Sequence, residues 1–284
     1  MEIIVARSAG FCFGVERAVN TVYSEVEKGK KIYTLGPIIH NDYVVSDLES
    51  RGVTVVHDVN ELLGVSQGCV IIRSHGVSKQ TLEKLESLPL EVIDATCPFV
   101  KKIHRIAEKE SSEGKQVVVI GNREHPEVTG IIGWCSLGNP AVVIENEDEA
   151  RRFEYDKNMQ ITVVSQTTFS VGKFKELVEI LREKRYNVTV VNTICNATGL
   201  RQDEAKKIAS EVDMMIVIGD SKSSNTQKLY EICSRECKCT QYVQTKDNLV
   251  TDPLRSLRRV GITAGASTPK KIIEEVQNYV RINF

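Results

Sequence analysis

Short apolar runs alternate with amphipathic stretches along the whole chain. The runs at 3–5, 31–35, 70–72, 117–120, 161–164, 214–218 and 260–263 are rich in β-branched residues and bounded by polar or glycine-containing turns, which predicts strands. Between them, apolar residues recur at helical spacing: Val15, Ala18, Val19, Val22 and Val26, then Val100, Ile103, Ile106 and Ala107, then Ala205, Ile208, Ala209 and Val212. Strands that alternate with helices predict α/β layers built on mainly parallel sheets.

Three features recur in the same order. The first is a cysteine between a strand and a helix: Cys12 in Gly10-Phe11-Cys12-Phe13-Gly14, Cys97 in Asp94-Ala95-Thr96-Cys97-Pro98, and Cys195 in Asn192-Thr193-Ile194-Cys195-Asn196. The second is a strand that ends in glycine and opens a polar turn: Gly36-Pro37-Ile38-Ile39-His40-Asn41, Gly121-Asn122-Arg123-Glu124-His125-Pro126-Glu127 and Gly219-Asp220-Ser221-Lys222-Ser223-Ser224-Asn225. The third is a further strand with a small polar turn: Arg73-Ser74-His75-Gly76, Ser165-Gln166-Thr167-Thr168 and Thr263-Ala264-Gly265-Ala266-Ser267-Thr268. Each cysteine precedes its glycine by 24 residues, and a constant spacing marks an internal repeat. The repeats 13–96, 97–194 and 195–284 are each the size of a small α/β domain. The strand before each cysteine either belongs to its own repeat or completes the previous sheet; in the second case residues 1–12 join the third repeat. Ligands of open α/β sheets bind beyond the carboxyl ends of the strands. Three repeats about a pseudo-threefold axis, a trefoil, would turn all nine landmarks toward one centre.

Composition narrows the function. Basic and acidic residues balance, 37 against 38, without the basic excess of a nucleic-acid binder. The first residues lack the long apolar core of a signal peptide, and no apolar run approaches the length of a membrane span. A cytoplasmic, reducing location and a monomeric chain are expected. Eight cysteines in 284 residues fall far below the density of a disulfide scaffold, so some are candidates for metal ligands or nucleophiles.

A helix N-terminus favours an anion, and the thiolate is the form of cysteine that binds metal. Three thiolates about a threefold axis suit a [4Fe–4S] cluster with one iron left without a protein ligand, whereas electron-transfer clusters usually take four cysteines. Structural zinc wants four ligands close in sequence, and separations of 85 and 98 residues fit it poorly. A buried cysteine can also be simply a small apolar residue; three at equivalent positions favour the cluster. Cys69 and Cys135 lack the landmark position and are expected to be structural, and Cys233, Cys237 and Cys239 lie at a helix end with no histidine near. The polar turns offer His40, His75, His125, Ser223, Asn225 and Ser267, neutral or switchable donors beside glycines and helix starts that suit a phosphate-like anion. The same serines and asparagine would also serve as helix caps. Glu127 directly follows the His125-Pro126 pair. It is either a proton donor made weakly acidic by burial or an exposed helix-start glutamate. No phosphate-binding Gly-Lys-Ser/Thr loop or dinucleotide fingerprint is present.

Together these motifs resemble the 4-hydroxy-3-methylbut-2-enyl diphosphate reductase family over essentially the whole chain. The resemblance implies a trefoil of three α/β domains around a [4Fe–4S] cluster held by Cys12, Cys97 and Cys195, with one open iron that takes the substrate's allylic hydroxyl. It implies a diphosphate held among His40, His75, His125, Ser223, Ser224, Asn225 and Ser267, protons delivered by Glu127, and Thr167 or Thr168 orienting the hydroxyl. Two electrons, passed singly from a reduced ferredoxin or flavodoxin, and two protons would then release water and give isopentenyl and dimethylallyl diphosphates. Asn196 stands after Cys195 where some relatives carry an aromatic residue.

Two other classes fit a three-cysteine cluster. A hydro-lyase would use the open iron as a Lewis acid, but hydroxy-acid substrates favour arginine clamps, and the landmark turns are mostly histidine, serine and asparagine. A non-enzymatic iron–sulfur sensor would need neither Glu127 nor the threonines.

Overall fold

The computed structural model describes residues 1–252, 254 and 257–284. The described residues form two compact units. One comprises Met1–Glu16, Ile39–Ser46 and Asn196–Phe284; the other comprises Arg17–Ile38 and Asp47–Cys195.

In chain order the elements are β1 (Glu2–Val5), α1 (Phe13–Glu27), β2 (Ile32–Leu35), α2 (Asp42–Ser50), β3 (Val53–Val56), β4 (Cys69–Ile72), α3 (Lys79–Glu86), β5 (Glu91–Asp94) and α4 (Pro98–Ser112). There follow β6 (Gln116–Ile120), α5 (Pro126–Ile132), β7 (Val142–Ile144), α6 (Glu147–Arg152), β8 (Gln160–Ser165), α7 (Val171–Glu183) and β9 (Asn187–Val190). The last are α8 (Asn196–Glu211), β10 (Met214–Ile218), α9 (Ser224–Glu236), β11 (Thr240–Val243), β12 (Arg259–Ala264) and α10 (Lys270–Asn283).

The second unit holds two parallel four-stranded sheets, ordered β3-β2-β4-β5 and β7-β6-β8-β9, and the first unit holds a third, β11-β10-β12-β1. The topology is therefore the same three times. In every sheet the strand that leads into the next cysteine is the edge strand beside the one carrying the third landmark. For β1 the partner is the C-terminal strand, with Glu2 opposite Arg259 and Val5 opposite Ile262.

Alternation within single strands explains the layering. On β10, Met214, Ile216 and Ile218 pack with Ile272, Ile273, Val276 and Val280 of α10. The intervening Met215 and Val217 pack with Ala205, Ile208 and Ala209 of α8 and Leu229 and Cys233 of α9. On β6, Val118 and Ile120 face Phe174, Leu177 and Leu181 of α7, while Val117 and Val119 face Ile103 and Ala107 of α4. A strand covered on both faces reads as a continuous apolar run, so these central strands stand out in the sequence. Gly219 ends β10 at φ +154°, where a Cβ would sit 2.6 Å from the Thr226 hydroxyl oxygen. Only glycine allows that strand to turn directly into its polar loop. No helix among the described residues is long and apolar enough to cross a membrane.

Candidate active site

Cys12, Cys97 and Cys195 each stand immediately before a helix, α1, α4 and α8. None of the three forms a disulfide among the described residues, and all are partly buried. Each donates its backbone N–H to a carbonyl of the third landmark turn on the sheet whose edge strand leads into it: Cys12 to Ala266 at 3.2 Å, Cys97 to Ser74 at 3.0 Å and Cys195 to Thr167 at 3.1 Å. The backbone thus fixes each thiol to the turn at the carboxyl end of a central strand.

The other cysteines have a different chemistry. Cys69 lies inside β4 and Cys233 inside α9, both fully buried. Burial raises the Cys69 thiol above its ordinary value, and it pushes Cys233 up to about 12 and Cys135 up to about 11. These thiols stay protonated and pack as small apolar groups. Cys237 caps the end of α9 and turns its sulfur toward the carbonyls of Val212, Asp213 and Cys239.

A second cluster of groups forms around the start of α5. His125 is the N-cap, and its Nδ1 accepts the backbone N–H of Glu127 at 3.1 Å. A ring nitrogen that accepts carries no hydrogen, so in the neutral ring Nε2 holds the proton and is the donor. Glu127 is only 2 % exposed, so it is not a solvated helix-start residue. Its Oε1 accepts the Thr167 backbone N–H at 2.6 Å, and its Oε2 accepts the Thr167 hydroxyl at 2.8 Å. Burial pushes its pKa up to about 7, with the two bonds from Thr167 pulling in the opposite sense. The carboxyl therefore exchanges a proton near neutrality. Thr168, the other threonine on the turn, receives a hydrogen bond from the Gln166 amide at 3.1 Å. Thr167 is thus tied at once to Glu127 through its N–H and hydroxyl, and to Cys195 through its carbonyl.

The remaining polar candidates fall in both units. In the second unit the His75 and His125 rings meet edge to face, 5.2 Å between centroids. In the first unit Ser223 caps α9 by accepting the Thr226 N–H, and the Ser267 hydroxyl donates to the Ser223 hydroxyl at 3.2 Å. Asn225 is buried nearby on the first turn of α9, and its Nδ2 has no hydrogen-bond partner among the described residues. A buried amide donor without a partner is costly, and an anion would satisfy it. Ser224 opens α9, and His40 sits on the turn before α2 in the same unit.

Two supporting residues escape the sequence reading. Arg17 on α1 donates to the carbonyls of Thr96 at 3.0 Å and Asp94 at 3.3 Å, the residues that lead into Cys97. Glu204 on α8 accepts from the Arg7 N–H and from the N–H and hydroxyl of Ser8, which bind the turn ahead of Cys12. Their only sequence signal is a charge close to the apolar face of a helix that follows a landmark cysteine.

The family model described as LytB protein matches residues 3–281. A 4-hydroxy-3-methylbut-2-enyl diphosphate reductase of Alkaliphilus oremlandii is 46% identical over 279 residues, 97% of this chain and 98% of that protein. One of Clostridioides difficile is 42% identical over 281 residues, 99% of each. Among solved structures, the E-1-hydroxy-2-methyl-but-2-enyl-4-diphosphate reductase of Plasmodium falciparum superposes with a TM-score of 0.91 at 30% identity, over 99% of this chain and 87% of that one. A second, described as the terminal enzyme of the non-mevalonate pathway, gives 0.70 at 41% identity, over 99% of this chain and 100% of that one.

Proposed function

This chain belongs to the LytB family, and from that premise we propose that it reductively removes the hydroxyl of 4-hydroxy-3-methylbut-2-enyl diphosphate. It is an oxidoreductase, as its relatives are named over nearly their full length. The products are isopentenyl and dimethylallyl diphosphates; one hydroxyl leaves as water for every two electrons and two protons taken up. The single observation that carries this reading is the buried Glu127–Thr167 pair, a proton source near neutrality held on the same turn that anchors Cys195.

Cys12, Cys97 and Cys195 would hold a [4Fe–4S] cluster through three thiolates, leaving one iron open. The donor set fits such a group: three partly exposed cysteines outside any disulfide, at equivalent helix starts, whereas Cys69 and Cys233 are fully buried. When bound, that cluster supplies electrons one at a time and a Lewis-acidic iron. A reduced ferredoxin or flavodoxin provides the electrons.

The chain's own residues do the rest. The Glu127 carboxyl holds the proton that the departing hydroxyl requires, because hydroxide is a poor leaving group. The Thr167 hydroxyl orients the substrate hydroxyl and keeps the Glu127 carboxyl in place; Thr168 is turned to Gln166 instead. His125 donates from Nε2. His40, His75, Ser223, Ser224, Asn225 and Ser267 bind the diphosphate with neutral or switchable donors, which hold an anion without the long flexible arms of lysine. The working form is a cytoplasmic monomer of three repeats, 13–96, 97–194 and 195–284, the last completed by 1–12. Turnover tests the reading: the enzyme with dithionite and a one-electron mediator should consume the substrate and release both products, and reductant-independent dehydration would mark it as a hydro-lyase instead.

A further inference from the structure

Arg73 directly follows β4 and begins the turn that carries His75. Its guanidinium is largely shielded, and burial holds its pKa below the ordinary arginine value. Among the described residues it makes no side-chain hydrogen bond or ion pair, and its Nε is fully buried without a partner. A guanidinium stays charged wherever it is placed, so a shielded one with no acceptor carries a desolvation cost that nothing among the described residues repays. The chain makes room for it. Gly36, at φ +72°, lies so close that a Cβ there would collide with Arg73 Nη1.

Arg73 lines a cavity of about 320 Å³ in the second unit, at the small end of the range for small-molecule sites. His57 and the hydroxyls of Ser78 and Thr81 line it too. Those hydroxyls are 2.8 Å apart and share one hydrogen, which leaves the other free to donate. Ser78 also caps the eight-residue helix α3, whose start favours negative charge. Two acids lie on the wall: Asp58 accepts the Asn60 N–H at 2.7 Å, and Glu124 is exposed. None of the residues assigned above to the substrate lines this cavity.

We propose that the cavity beside Arg73 is a separate oxyanion site, taking inorganic phosphate or the phosphate end of a small metabolite on the arginine fork. The site goes beyond the reductase reading and stands independently of it. Equilibrium dialysis of the iron-loaded enzyme against radiolabelled phosphate tests it. Arg73→Gln should weaken one class of phosphate binding by at least about tenfold, as expected for lost charge-assisted bonds, and Arg73→Lys should weaken it less. The Arg73-dependent class should survive in a Ser223→Ala, Asn225→Ala double variant. Crystals of the parent soaked in tungstate give a readout that needs no variant to fold, with heavy-atom density expected within hydrogen-bond reach of Arg73. The idea is overturned if Arg73→Gln leaves phosphate binding unchanged, or if tungstate occupies the Ser223, Asn225 and Ser267 region and not Arg73. Both places are read in one crystal, so failure of either site is told apart from failure of the other.

Discussion

A carboxyl group that is 2 % exposed and held by both polar groups of one threonine has few roles open to it. The pKa of about 7 at Glu127, raised by burial, gives a signed expectation. If the protonated form is the one that works, the rate should be level below about pH 7 and fall by about tenfold per pH unit above it. Glu127→Gln keeps size and hydrogen bonding but has no proton to give; its rate should be lower by at least about 10²-fold and lose the alkaline limb. Turnover near the parent rate would move the proton source elsewhere. The same shift affects folding. A carboxyl whose folded value is raised contributes stability that is fully present below its unfolded value of about 4.5 and lost as pH rises through about 7, on the order of 3 kcal/mol. Urea midpoints of the parent should fall across that window, and those of Glu127→Gln should not. Asn225 is the complementary case. Its Nδ2 has no partner among the described residues, so Asn225→Ala should leave the unfolding midpoint in place while weakening pyrophosphate binding by about tenfold or more; unchanged affinity would put the diphosphate elsewhere. At this scale the sequence was only partly legible. Adjacent hydroxyls at 167 and 168 cannot be ranked until side-chain directions are known, and a glutamate one residue into a helix looks the same buried or exposed.

The repeating element is a cysteine, the helix that follows it and the turn that receives its N–H. This unit was legible because its parts are local: a glycine 24 residues on, an apolar strand before and an amphipathic helix after. The central strands were legible for a similar reason, since 214–218 and 117–120 are covered on both faces and leave unbroken apolar runs. The edge strands β3, β7 and β11 were not, because β3 and β11 mix polar with apolar residues and β7 is only three residues long. Arg73 could not be foreseen either; its lack of a partner is a property of everything packed around it. The element-level prediction concerns metal. Replacing Cys12, Cys97 or Cys195 by alanine should sharply lower the iron content of anaerobically purified protein, whereas Cys69→Ala and Cys135→Ala should retain it. Equal loss from all five would mean that the helix-start position carries no ligand role.

At the scale of the molecule, the third sheet is assembled from both ends of the chain. β1 forms four register pairs with β12, from Glu2–Arg259 to Val5–Ile262, and the turn after β12 receives the Cys12 N–H. The first strand therefore acts as the closing strand of the C-terminal sheet. Met1, Ile3, Arg281 and Phe284 line one small cavity, so the two termini are neighbours within the first unit. A circular permutant follows from this. Phe284 would be joined to Met1 by a short glycine–serine linker, and new ends opened between Lys157 and Asn158, in an exposed turn whose local bonds, such as the Asn158 N–H to Asp156, are expendable. The permutant should fold, carry iron at the parent level and unfold within about 1–2 kcal/mol of the parent, a loss typical of a surface nick. Deleting residues 1–5 should do the opposite, because it strips the edge from β12 and removes the lead into Cys12. Iron content and urea unfolding on the two proteins decide the matter. A permutant that loses its iron while the deletion keeps it would show that β1 is dispensable and that chain order, not pairing with β12, positions Cys12.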